Sequence, residues 1–99
     1  MLNINKTVEE NRTIVALEGR LDTITAPELE KEIETIKDEL KELVFDLKDL
    51  DYISSAGLRV LLAAQKIMNK QGVMKVTSVN ETVAEILEVT GFTDILTIE

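Results

Sequence analysis

The chain has no cysteine and no histidine, one proline and four glycines. Without cysteine there is no disulfide framework and no thiolate site, and nothing points to secretion. Without histidine the commonest general base and the commonest metal ligand are both missing. Aromatic residues make up only 3% of the chain, against 44% hydrophobic residues overall, so a core has to be built from Leu, Ile, Val and Ala. Long apolar runs are also missing. The longest lies around Val60–Ala64, far below the roughly 18 residues that a membrane span needs. The opening MLNINKTVEE lacks a basic segment followed by an apolar run, so no signal peptide is expected. These absences predict a soluble, cytoplasmic protein without a membrane partner. Bases are outnumbered 11 to 19, for a net charge of −8. They are scattered among carboxylates, whereas a phosphate-backbone binder concentrates them on one face, so nucleic acid is not expected as a partner.

Ninety-nine residues suffice for one small domain, residues 1–99, with no repeat, linker or low-complexity tract. Thr13–Gly19, TIVALEG, is a β-branched run closed by glycine and reads as a strand. Leu2 and Ile4 alternate with polar neighbours before it, and Glu9-Glu10-Asn11 supplies the turn of a hairpin. Thr25 and Glu28 have the spacing of a capping box, and Pro27 falls in a first helical turn, where its missing N–H costs nothing. Leu29, Ile33, Ile36 and Leu40 then recur at helical spacing. The acids and lysines between them read as a solvated face, not a binding surface. Leu43–Leu47, LVFDL, has the look of a strand buried on both faces.

A second helix spans Leu58 to Met68 and is almost wholly apolar, with Arg59, Lys66 and Lys70 as a narrow polar strip. Either it is largely buried or part of it awaits a partner. Gly72 ends it, VMKVTSV forms another strand, and Asn80 caps a third helix through Val83, Ile86 and Leu87, stopped at Gly91. DILTI closes the chain as a last strand. The predicted order is β-β-α-β-α-β-α-β: an α/β domain with a mostly parallel sheet, an antiparallel N-terminal edge hairpin and three helices.

The chemistry of common enzymes is missing. There is no nucleophile elbow, no phosphate-binding glycine loop, and no histidine to activate Ser54 or Ser55. Asp46, Asp49 and Asp51 cluster near one expected strand end and suggest a Mg²⁺ site. Such acids after strands are more often turn formers and caps, so no metal and no cofactor is expected. The loop expected between that strand and the second helix lies at the carboxyl end of a parallel strand, the usual functional position in open α/β sheets.

The stretch LVFDLKDLDYISSAGLRVLL, with LEGRLDTITAPEL before it and GVMKVTSVNETVAEILEVTGFTDIL after it, resembles the STAS domain. More narrowly it resembles a stand-alone bacterial anti-sigma factor antagonist. The resemblance spans almost the whole chain. Its most specific piece is a strand ending in Asp, a short acidic loop, and a Ser–small–Gly–Leu sequence opening an apolar helix; the GRLD of Gly19–Asp22 is a weaker match. The resemblance implies a non-enzymatic module that, unphosphorylated, binds an anti-sigma factor and releases a sigma factor. The anti-sigma factor doubles as a serine kinase that phosphorylates a serine at the start of the second helix, and a phosphatase resets the cycle. Gap-free alignment through Gly57 sets the acceptor on Ser55, and Asp22 and Asp46 match acidic positions beside it. Two departures stand out. Many members carry Asp where this chain has Ser54, which makes Ser54 a rival acceptor, and a small residue is frequent where this chain has Arg59. The partner-binding residues implied are Asp22, Ser54, Gly57, Leu58, Arg59 and Leu62. Alternatives are a STAS subunit of a stress-signalling or lipid-transport assembly, or a module sensing a nucleotide or other small ligand.

A phosphate suits that position physically. A helix N-terminus offers unpaired N–H groups and the positive end of its dipole, which favours an added anion by about 0.3–1 kcal/mol. The roughly −1.5 to −2 charges of a phosphoserine therefore leave the fold intact. A partner's interface has to desolvate the same anion, and a penalty of ~2.8 kcal/mol there weakens binding about 100-fold.

Overall fold

The computed structural model describes all 99 residues. Four strands, β1 (Leu2–Glu9), β2 (Arg12–Leu21), β3 (Glu42–Ile53) and β4 (Val73–Thr77), combine with three helices, α1 (Ala26–Ile36), α2 (Ser55–Gln71) and α3 (Glu81–Val89). The sheet order is β1-β2-β3-β4. β1 pairs antiparallel with β2 from Leu2↔Gly19 to Glu9↔Arg12. β2–β3 and β3–β4 are parallel, so α1 and α2 are the crossovers that parallel neighbours require. The predicted α/β architecture with its edge hairpin is the one observed.

The register explains the layering. Val15 lies opposite Phe45, and Phe45 opposite Val76. All three are fully buried and belong to one cluster of 23 buried residues with Leu29 and Ile33 of α1, Leu61 and Met68 of α2, and Val83 and Leu87 of α3. The helices therefore cover a single face of the sheet. Val44 is the one buried hydrophobic residue outside that cluster; it faces the other way, between Ile14 and Lys75 on the adjacent strands. β3 is thus shielded on both faces near its start, by helices on one side and only by sheet neighbours on the other.

Two predictions are corrected. The strand expected at Leu43–Leu47 continues to Ile53, because Asp49–Ile53 keep pairing with Glu18–Leu21. β3 slips relative to β2 twice along the way, and the carboxylate of Asp46 accepts the Lys48 N–H at 3.0 Å beside the first slip. Such a bulge increases local twist and bends the strand. The closing strand DILTI does not form. Gly91, at φ +79°, ends α3 in a left-handed turn, a conformation that suits a residue without a Cβ. A short 3₁₀ turn, Phe92–Asp94, follows, Leu96 is drawn into the core, and only Ile98 is left to bridge Val76.

α3 begins as its sequence predicts. Asn80 accepts the Val83 N–H at 2.9 Å, and its amide donates to the Leu50 carbonyl at 2.5 Å. One side chain thus caps the helix and ties it to β3.

Candidate functional site

β3 passes into α2 through one residue. Ser54 is extended at φ −95° and ψ 174°, and its N–H donates to the Leu21 carbonyl at 2.8 Å, continuing the contact with β2. Its Oγ accepts the Gly57 N–H at 3.3 Å and its carbonyl accepts the Leu58 N–H at 2.9 Å. Ser54 is half-buried and is the N-cap of α2. Ser55, the first residue of the helix, is exposed, and its hydroxyl engages no protein group. The two adjacent hydroxyls therefore have different duties: one is consumed by the fold and one is free.

Gly57 is buried at this junction. A Cβ there would lie 2.6 Å from Leu21 Cγ and 3.0 Å from Ile53 Cγ1, so the residue allows the first turn of α2 to rest on the ends of β2 and β3. Leu58 is 4% exposed and belongs to the core. Of the partner-binding residues that the resemblance implies on α2, Gly57 and Leu58 point inward, Leu62 is half-buried and Arg59 is exposed, as is the nearby Ala63. The apolar run of α2 serves mainly the core, because a helix against one sheet face and beside another helix needs a broad apolar stripe.

Asp22 opens the neighbouring β2–α1 loop. Its Oδ1 accepts the N–H groups of Ile24 and Thr25, both at 3.0 Å, while its own N–H donates to Thr25 Oγ1 at 2.8 Å. The Thr25 hydroxyl proton has the Arg20 carbonyl at 2.8 Å and Asp22 Oδ1 at 3.2 Å within reach. The backbone N–H of Thr25, first among these donors, holds the Asp22 carboxyl below the usual carboxylate range. Arg20 adds a distant contact, Nε to Asp22 Oδ2 at 3.9 Å, and lays its guanidinium 4.5 Å from the centroid of the Tyr52 ring. The capping box expected from Thr25 and Glu28 is not made. Thr25 stands at the N-cap position without a side-chain cap bond, because its hydroxyl is used inside the loop. Arg20, Thr25 and Tyr52 were not anticipated as site residues. The Asp22…Thr25 spacing carried a usable signal, since Asp at a turn often binds backbone N–H groups two or three residues on.

Ala56 and Arg59, one and four residues after Ser55 in α2, line a recess of about 270 Å³ that Thr23, Ala26, Pro27 and Glu30 close from the loop and α1. Asp46, Asp49 and Asp51 do not form the expected cluster. They are strung along β3, Asp46 is tied to its bulge, and no three acidic side chains converge anywhere in the molecule.

A two-layer α/β domain thus sets a free serine at the N-terminus of an apolar helix, beside a braced acidic loop. The family model of the STAS domain matches residues 3–99, and the chain belongs to that family. The Anti-sigma-B factor antagonist of Bacillus subtilis (strain 168) is 30% identical over 100 residues, covering 98% of this chain and 92% of the relative. Among solved structures, an anti-sigma factor antagonist from Mycobacterium paratuberculosis superimposes with a TM-score of 0.90 at 23% identity, over 99% of this chain and 85% of that one. SpoIIAA, described as an anti-sigma factor antagonist, is similar in its unphosphorylated form, with a TM-score of 0.85 at 14% identity over 98% of this chain and 88% of that one. A structure of the Bacillus SpoIIAA in the phosphorylated form gives a TM-score of 0.76 at 14% identity, over 100% of this chain and 91% of that one. At these identities the solved structures establish the shared fold.

Proposed function

We propose that this protein is an anti-sigma factor antagonist, a cytoplasmic binding module and not an enzyme, switched by phosphorylation of Ser55. Unphosphorylated, it binds an anti-sigma factor and frees a sigma factor. The anti-sigma factor, acting as a serine kinase, modifies Ser55, and a phosphatase restores the binding form. The observation that carries this reading is the division of labour between the two serines: Ser54 is held by Leu21 and Gly57, while Ser55 is exposed and uncommitted. A phosphorylated and an unphosphorylated form of SpoIIAA, a protein of the same fold, lend it support.

The reading assigns roles to the neighbours. Arg59 lies one helical turn from Ser55, within the i,i+4 spacing at which helical side chains meet, and faces the partner with the half-exposed Leu62. Asp22 shapes the loop that borders the contact surface. Gly57 and Leu58 act indirectly, by seating the first turn of α2.

Phosphosite mapping by mass spectrometry on the protein isolated from its own cells tests the proposal. The expected result is one phosphate on Ser55, retained in Ser54→Ala and lost in Ser55→Ala. A phosphate on Ser54 would move the acceptor. No phosphate under any growth condition would leave a constitutive STAS subunit whose serines serve the helix cap.

A further inference from the structure

The largest recess of the molecule lies away from Ser55. It is a groove of about 330 Å³ between α1 and α2, with Ile33, Val60, Ala63, Ala64 and Ile67 as its apolar floor. Ala63 is exposed and Ile67 half-exposed, so part of this floor meets solvent. The small side chain of Ala63 leaves room for another backbone to come close.

The two helices that flank the groove carry opposite charge, although the residues that α2 itself gives to the lining, Val60, Ala63, Ala64 and Ile67, are uncharged. Along its length α1 has four glutamates and one lysine, and Glu30 and Glu34 border the groove with Lys31 beside them. α2 has no acidic residue and three bases, Arg59, Lys66 and Lys70. These recur at the three- and four-residue steps that share a helical face with Ala63. Neither Glu30 nor any of the three bases takes part in an ion pair, no ion pair joins the two helices, and Glu34 pairs only with Lys37. An acidic helix and a basic helix thus stand side by side, with most of their charge uncompensated and the bases on the rim beyond Ala63.

We propose that this groove is a self-association surface whose occupant is the same groove of a second copy. The charges select the symmetry. A two-fold axis running along the groove sets each acidic α1 over the partner's basic α2, twice over, as an isologous contact requires. An axis across the groove sets like charge on like and is disfavoured. With a net charge of −8 on each copy, long-range repulsion opposes the local attraction, so the dimer is weak and concentration-dependent. The acidic side of α1 is then more than a solvated face.

Sedimentation velocity on the full, unphosphorylated chain tests this without any partner protein. The wild type is expected to show a concentration-dependent monomer–dimer equilibrium. Glu30→Lys with Glu34→Lys, and separately Arg59→Glu with Lys66→Glu, should each weaken it at least about tenfold, the effect of about 1.4 kcal/mol. An equimolar mixture of the two variants should restore a dimer, because each altered wall then meets its complement. Ala63→Arg, which fills the floor without touching the acidic wall, should also give a monomer. Circular dichroism confirms that each variant is folded. A wild type that stays monomeric overturns the proposal, and so does a dimer indifferent to the reversals or a mixture that fails to re-pair.

Discussion

Two parallel strands, β2 and β3, finish side by side at the same end of the sheet, and each hands over to a helix by a different device. β2 reaches α1 through Asp22–Thr25, a loop that spends its polar side chains on its own backbone and leaves α1 without a side-chain cap. β3 reaches α2 through Ser54 alone, which extends the strand pairing and caps the helix at once. The longer passage is braced by a carboxylate, and the shorter by a neutral hydroxyl and close packing. The difference shows where an adjustable surface group has room to exist. Where one residue does all the structural duty, its neighbour is released, and Ser55 is that neighbour.

The largest expected effect comes from disturbing the packing on which the short passage depends. Gly57→Val sets a branched side chain against Leu21 and Ile53, where even a Cβ is too close. Overpacking of this kind costs about 1–3 kcal/mol, which for a domain of this size lowers the Tm by roughly 5–20 °C. Thermal unfolding followed by circular dichroism measures it. An unchanged Tm would mean that the junction is not close-packed.

A smaller effect separates the two hydroxyls. Ser54→Ala removes the cap and should destabilise the fold by about 1 kcal/mol, within the usual 0.5–2 kcal/mol for such caps. Ser55→Ala, on an exposed side chain without a partner, should stay within about ±0.5 kcal/mol. Urea unfolding of both variants gives the comparison, and equal losses would erase the distinction drawn between the serines.

Much of this arrangement is legible in the chain, and the exceptions share a cause. The stripe of Leu29 and Ile33, the β-branched run of β2 and the Asn80 cap express local preferences that tertiary structure reinforces, so each appears where the spacing sets it. Thr25 has the spacing of a capping box, yet the Arg20 carbonyl and the Asp22 N–H, brought close by the fold, take its hydroxyl. Asp49 and Asp51 read as an acidic loop but lie in β3, because pairing with the end of β2 outweighs their low strand preference. The final segment has strand-like residues, but the docking of Leu96 leaves Ile98 alone within reach of β4. Whether the apolar α2 is buried or awaits a partner stays open in the sequence, because periodicity alone does not say how much of an apolar helix the sheet covers. Local signals were overridden wherever a distant segment offered a better partner.

The smallest expected effect belongs to the longer passage and depends on pH. The carboxyl of Asp22 is held below its ordinary range chiefly by the N–H of Thr25. In the window between its folded and its unfolded pKa the unfolded chain binds the extra proton, so stability rises with pH there. The contribution is complete above the ordinary carboxylate range, near 3.9 for an unperturbed Asp, and is lost as pH falls through the lower folded value. Asp22→Asn keeps an acceptor for the loop N–H groups but cannot titrate. Its Tm should therefore fall less steeply on acidification than that of the wild type, while Ser54→Ala, which removes a neutral group, should shift the Tm by the same amount at every pH. Parallel curves for Asp22→Asn and the wild type would show that the loop draws nothing from its charge, and the electrostatic half of the contrast between the two passages would fall with it.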